Sequence, residues 1–232
     1  MSALAIQKCE KTAKECAVIL PYENSEEYYI EDLGEIEKKP VYAFVKRAID
    51  IVVSFIFSLL LVVPMLVIAL LVKVTSKGSV FYHQERLGLN GKKIDVLKFR
   101  TMKMDAEEEG IRWSAGKEDP RITGFGRVLR NTHLDELPQL WCILTGKMTL
   151  VGPRPEREVY YNEFERYIHG FHERLKVKPG LTGLAQVKGG YFLKPEEKIA
   201  YDVEYIKTRS LWLDTKIIFK TVCVVFRREG VK

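Results

Sequence analysis

The sequence predicts a mainly helical α+β protein, and three observations carry that expectation. The first is a 22-residue run without charge, Ile51 to Val72, interrupted by Pro64. The second is a pair of strand-like stretches, Val80 to Gln84 and Lys93 to Phe99, with Asn90-Gly91 between them, a strong signal for a small antiparallel hairpin. The third is the charged remainder, in which Leu129, Leu134, Leu137, Leu140 and Trp141 supply the apolar side of one or two short helices. These divide the 232 residues into an acidic extension (1–39), a membrane helix broken at a proline (40–76) and a domain with candidate catalytic residues (77–232). That length accommodates one membrane element and one catalytic domain, not two large soluble domains.

The extension comes first. Five lysines against nine aspartates and glutamates give residues 1–39 a net −4, leaving +10 on the rest of a chain whose total is +6. Glu23, Glu26, Glu27, Glu31, Asp32, Glu35 and Glu37 crowd its second half without a sustained period, which reads as a mobile segment, although Tyr22, Tyr28, Tyr29 and Ile30 could dock. The basic remainder suits anionic lipid, phosphorylated substrates or nucleic acid, and charge alone does not choose among them. Cys9, Cys16, Cys142 and Cys223 form no CxxC pair and read as free thiols of a reducing compartment.

The apolar run begins too far into the chain, after an acidic stretch, to be a cleavable signal peptide. As one straight helix it would just cross the hydrocarbon core. Pro64, however, lacks an amide donor and clashes with the carbonyl of Leu60, so thirteen apolar residues precede a kink and eight follow it. Cations lie before the run at Lys38, Lys39, Lys46 and Arg47 and after it at Lys73, Lys77 and Arg86. Both ends therefore favour one face of the membrane, as in a re-entrant helix, while a kinked crossing remains open.

After the hairpin, Lys98 and Arg100 alternate so as to share a face. The Gly124-Phe125-Gly126 stretch lacks the third glycine and the βαβ setting of a dinucleotide site. Next comes Arg130-Asn131-Thr132-His133-Leu134-Asp135-Glu136-Leu137-Pro138. An adjacent carboxylate pair can divide labour, one attacking or moving a proton while the other holds a metal ion. The structural alternative is a capping box from Thr132 to Asp135. Pro138 argues for a helix starting near Asp135, which would set the carboxylates at its N-terminus beside Arg130.

Further on, Arg154 stands between Pro153 and Pro155, so a stiff loop presents its donor fork, suited to phosphate or a nucleobase edge. Lys178-Pro179-Gly180-Leu181-Thr182-Gly183 reads as a tight turn of the kind that lines sites, leading through Gln186. The stretch from Leu211 to Arg228 is too short to span and reads as an interfacial amphipathic helix anchored by Trp212 and Arg227-Arg228, with a core helix as the alternative. His169 and His172 lack partners at zinc-ligand spacing.

From about Val41 to Arg228 the chain resembles the bacterial sugar transferase family, the monotopic phosphoglycosyl transferases. The motifs that carry this are Lys46-Arg47-x-x-Asp50, Gln84-Glu85-Arg86-x-Gly88-x-Asn90-Gly91, Lys98-Phe99-Arg100-Thr101-Met102, Asp119-Pro120-Arg121-Ile122-Thr123, Leu134-Asp135-Glu136-Leu137-Pro138-Gln139, Val151-Gly152-Pro153-Arg154-Pro155 and Pro179-Gly180-Leu181-Thr182-Gly183. The resemblance implies a re-entrant membrane helix and a catalytic domain on the cytoplasmic face of the bacterial inner membrane. It implies transfer of a phosphosugar from a UDP-sugar to a polyprenyl phosphate such as undecaprenyl phosphate, releasing UMP, as the first membrane step of exopolysaccharide, capsule or glycoconjugate synthesis. Asp135 is then the nucleophile, and Glu136 helps hold Mg²⁺. Arg130 and Arg154 are expected at phosphate or uridine, with Lys98, Arg100, Pro153, Pro155, Gln186 and Lys188 as further substrate-binding candidates. Membrane lipids are expected partners, nucleic acid is not, and a homodimer is left open.

Two departures stand out. Where many relatives carry Asn-Gly-Arg, this chain reads Lys188-Gly189-Gly190-Tyr191, so another residue, with Lys188 the candidate, must make that arginine's contact. The large extra membrane domain of longer relatives has no counterpart here, giving the expectation of a small, single-domain type. Two other functions remain open: a non-catalytic, membrane-tethered basic module for lipid or nucleic acid, which the carboxylate pair disfavours, and a hydrolase passing the phosphosugar to water.

Overall fold

A computed structural model of the protein describes residues 18–19, 27–108, 111–112, 119–189 and 193–227. Cys9, Cys16, Tyr22, Gly190, Tyr191, Arg228 and the side chain of Arg227, all named above, lie outside the described residues.

Helix α1 (Pro40–Leu60) opens with a proline in its first turn, where the missing amide costs nothing. α2 (Val62–Thr75) follows after one residue, and the two axes meet at a bend of 62°. The break falls at Leu61, three residues before the proline expected to cause it. The ladder shows why: Leu61 N–H still donates to Phe57 O at 2.9 Å and Met65 N–H to Leu61 O at 2.8 Å, whereas Pro64 cannot serve Leu60 O. No single described helix is long and apolar enough to cross a membrane, but the bent pair passes that test together.

Both arms are held by the rest of the chain. Lys46 Nζ reaches Asp214 Oδ2 at 2.7 Å and Val151 O at 2.9 Å, and Arg47 donates to Ile143 O at 2.6 Å and Leu144 O at 2.7 Å. Buried Asp50 accepts from Thr149 Oγ1 at 2.7 Å and Leu150 N–H at 2.9 Å. Lys46 and Arg47, read from sequence as flanking cations of the membrane run, are thus engaged by protein. At the other end, Ile68 and Val72 pack with Phe99 and Leu129. The outer face stays bare, with Phe55, Leu59, Leu60, Val63, Leu66 and Leu70 exposed.

The hairpin forms, with its first strand running three residues past the expected end at Gln84. Strands β3 (Phe81–Leu87) and β4 (Lys93–Phe99) pair antiparallel from Phe81 opposite Phe99 to Leu87 opposite Lys93. Asn90 (φ 56°) and Gly91 (φ 72°) supply the left-handed turn. Then come α3 (Gly124–Asn131), a 3₁₀ turn (Leu134–Glu136), α4 (Gln139–Leu144), α5 (Glu158–Phe164), α6 (Leu184–Lys188), α7 (Pro195–Thr208) and α8 (Leu211–Arg227). α8 has a buried side at Asp214 and Ile217 and a bare one at Trp212, Phe219 and Val222, so it is core helix and exposed apolar helix at once.

Other pairings are short. β6 (Thr149–Val151) runs parallel to β8 (Gly180–Thr182), and β1 (Val18–Ile19) to β5 (Ile111–Arg112). β2 (Tyr28–Tyr29) lies parallel to β7 (Ile168–His169). Residues 27–39, expected within a mobile extension, are seated on the domain: Tyr28 and Ile30 pack beside Phe164 and Phe171, and Leu33 and Ile36 beside Ile206. Average composition concealed these apolar anchors among the acids.

Candidate active site

Asp135 and Glu136 sit on the 3₁₀ turn between α3 and α4, 8% and 9% exposed. No capping box forms. Thr132 ends α3 and turns its hydroxyl back to Val128 O at 2.9 Å and Leu129 O at 3.1 Å. α4 begins three residues beyond the pair with Pro138 as its cap, so side-chain cations, rather than the expected helix N-terminus, balance these carboxylates.

Glu136 lies between two of them. Lys98 Nζ, from the end of β4, is 2.7 Å from Oε1; Arg154 Nη2 bonds the same oxygen, and Nη1 lies 3.3 Å from Oε2. Burial alone would raise the Glu136 carboxyl, but Arg154 and Lys98 override it and hold it well below the usual carboxylate range. Asp135 has no such close partner among the described residues: burial, reinforced by the Glu136 charge, pushes it up to about 6 against the offsetting pull of Lys98, Arg130 and Arg154. The two neighbouring carboxyls are thereby shifted in opposite directions, Glu136 held as an anion by its cations and Asp135 raised by burial.

The loop carrying Arg154 is built from two motifs distant in sequence. Gly152 N–H donates to Thr182 O at 2.8 Å and Gly180 N–H to Pro153 O at 2.9 Å. A β-carbon on Gly180 would lie 2.1 Å from Gly152 N, so only glycine permits this approach. From behind, Arg86 Nη1 donates to Pro155 O, and Arg174 Nη2 to Arg154 O at 2.9 Å while pairing with Asp202 at 2.7 Å.

The pair opens into a cavity of about 990 Å³. Its lining includes the cations Lys98, Arg121, Arg130, Arg154, Arg157 and Lys198, the acids Glu107 and Glu156, and apolar side chains from Phe57 and Leu61 at the helix bend, Leu140 of α4, and Ile218 and Val222 of α8. Of the expected site residues, Asp135, Glu136, Lys98, Arg130, Arg154, Arg100 and Gln186 all line it. Arg130 is steadied by Thr101 Oγ1 at 2.8 Å. Gln186 donates to Leu181 O at 2.9 Å, leaving its buried Oε1 without a partner. Arg100 borders the cavity, yet its guanidinium holds Ser76 O at 2.9 Å and Lys77 O, pinning the end of α2. Pro153, Pro155 and Lys188 do not line it. The prolines fix the loop, and exposed Lys188 lies over the Tyr201 ring at 5.9 Å.

The model for bacterial sugar transferases matches residues 41–228. The chain belongs to the bacterial sugar transferase family. It is 40% identical over 206 residues to a UDP-glucose:undecaprenyl-phosphate glucose-1-phosphate transferase of Escherichia coli K12, covering 83% of this chain and 44% of that protein. A protein of the same name from Klebsiella pneumoniae is 46% identical over 182 residues, 76% of this chain and 39% of its own. An Aeromonas hydrophila UDP-N-acetylgalactosamine-undecaprenyl-phosphate N-acetylgalactosaminephosphotransferase is 39% identical over 203 residues, 86% and 48%. This family member spans less than half the length of each of these relatives.

Sequence reasoning passed over Arg86, Arg174, Lys198 and the apolar lining. Arg86 lay within a quoted motif, but nothing local marks its partner at Pro155, 69 residues away. His133 also lines the cavity, its imidazole pulled below the usual histidine range by burial.

Proposed function

We propose that the chain transfers a phosphosugar from a UDP-sugar to undecaprenyl phosphate and releases UMP. The observation carrying this is a cavity lined by a buried carboxylate pair, several cations and apolar side chains of the bent helix pair and α8. The Asp135 carboxylate attacks the sugar-bearing phosphorus, the bond from that phosphorus to the bridging oxygen breaks, and the oxygen leaves with UMP. An oxygen of the lipid phosphate then attacks the same phosphorus and frees Asp135, leaving a lipid diphosphosugar. Lys98, Arg130 and Arg154 reduce repulsion between anions that must meet, and the stiff loop supplies positioning.

Mg²⁺ is part of the proposal. Among the described residues no cluster of three or more metal-binding side chains forms. Two adjacent carboxylates facing space for a diphosphate nevertheless suit magnesium, which keeps most ligands as water and substrate oxygens. Glu136 would help hold it, leaving Asp135 free to attack, and when bound it would neutralise charge on the diphosphate.

The bent helix pair, in this reading, is re-entrant in the bacterial inner membrane with the domain on the cytoplasmic face. Residues 46–50 and 68–72 pack on the same domain, which supports both ends of the apolar run lying on one side.

The test uses purified chain, UDP-sugars and undecaprenyl phosphate. UMP and lipid-linked sugar should both appear, a chelator should abolish them, and Asp135→Asn should reduce them by more than about 1000-fold. Enzyme incubated with donor alone should gain the phosphosugar mass on Asp135. Full turnover by the variant overturns the assignment, and free sugar phosphate in place of lipid product identifies a hydrolase.

A further inference from the structure

His133 adopts φ 56° and ψ 13°, left-handed backbone that glycine or asparagine enters more cheaply than a residue of this size. The chain needs that conformation here. His133 N–H donates to Arg130 O at 3.2 Å to close α3, and its carbonyl accepts from Glu136 N–H at 3.2 Å to open the turn with the acid pair. Helices commonly end this way, usually with glycine. The backbone thus accounts for the conformation but gives no reason for an imidazole. The ring is half-buried, lines the cavity beside Asp135, Glu136 and Arg154, and makes no hydrogen bond or ion pair with another described residue.

We propose that His133 is a substrate-contacting residue, its imidazole hydrogen-bonding an oxygen of the phosphosugar as that group passes to Asp135. The inference rests on the functional reading above. Reach selects this part of the donor. Cα atoms two residues apart lie within about 7.6 Å, and the phosphorus under attack must come to about 3–3.5 Å from the Asp135 carboxylate. A ring this near Asp135 in the chain, lining the same cavity, is within reach of the transferred group. A polar ring at the cavity lining that no other described residue engages, at a position where the backbone asks only for a left-handed residue, fits a role in binding.

The experiment compares wild type, His133→Asn and His133→Gly as full chains in liposomes, with UMP release as readout and each substrate varied in turn. Both substitutions suit the left-handed backbone, so Tm should stay equal or rise. kcat/KM for the UDP-sugar should fall about tenfold or more, the effect of losing one hydrogen bond to a charged oxygen, with KM for undecaprenyl phosphate unchanged. Undiminished kcat/KM for the donor in both variants overturns the inference. So does a change confined to KM for the lipid phosphate, which would place the contact on the acceptor. A fall in Tm accompanying the loss assigns His133 to folding and also overturns it. Wild type that releases no UMP from any UDP-sugar sinks the functional reading and this inference with it. Active wild type with an equally active His133→Asn and His133→Gly sinks the inference alone.

Discussion

Asp135 and Glu136 share a turn but not an environment, and their difference has measurable consequences. In the proposed reaction attack requires ionised Asp135, whose carboxyl is pushed up to about 6, so kcat/KM for the UDP-sugar should fall as pH is lowered through about 6. Glu136, held well below the usual range by Arg154 and Lys98, stays ionised across that interval. For stability the sign runs the other way. A carboxyl raised in the folded state favours the protonated form, so charged Asp135 destabilises the fold above pH 6, and the penalty is relieved as pH drops toward its unfolded value. Asp135→Asn should therefore be inactive yet more stable at pH 7.5 by roughly 1–3 kcal/mol, read from Tm. Unaltered or lowered Tm would mean the charge is better compensated than its burial indicates. The pair itself was legible from adjacency and from Pro138, which excluded a helix begun at Thr132. The cations that divide its two tasks come from residues 18 and 38 positions away, and no local pattern encodes such pairing.

Among the elements, the bent pair α1–α2 is the most sequence-determined and the least self-sufficient. Pro64 dictates that the ladder fails, but the hinge settles at Leu61, where the unserved carbonyl of Leu60 lets the axes diverge. Replacing Pro64 with Ala restores that donor and should straighten the pair. Cysteines at positions 30 and 230 should be labelled from one side of intact cells in the parent, and from opposite sides if the straightened run crosses. Labelling from opposite sides in the parent would refute re-entry. The base of α1 depends on burial: Asp50→Ala leaves the Thr149 hydroxyl and Leu150 N–H without their acceptor. That should cost about 1–3 kcal/mol, seen as a lower Tm. For Lys46 and Arg47 the sequence could not name the partner, because a cation before an apolar run looks the same whether lipid or a carbonyl receives it. Here Arg47 satisfies the last carbonyls of α4, which any helix leaves open.

At the scale of the whole molecule, several cations line the cavity of the acid pair, and apolar surface stays exposed on α1–α2, α4 and α8. Trp212 and Phe219 on α8 are 69% and 70% exposed, Trp141 on α4 is 64% exposed, and the outer face of α1–α2 is bare; exposed apolar residues in such number suit contact with lipid or a partner. The chain should float with anionic liposomes, and Trp212→Ser combined with Phe219→Ser should shift it toward the unbound fraction while Tm holds. Flotation unaffected by the double substitution would leave α8 out of the membrane contact. By itself the sequence determined the broken helix, the hairpin, the acid pair and the stiff arginine loop, because proline, Asn-Gly and adjacent carboxylates act within a few residues of backbone. Tertiary structure alone decided which cation meets which carboxylate, that Arg100 and Lys46 serve carbonyls and carboxylates of the fold, and that residues 27–39 are seated. Those outcomes turn on burial and on partners far apart in the chain, whose energies exist only once the core has closed around them.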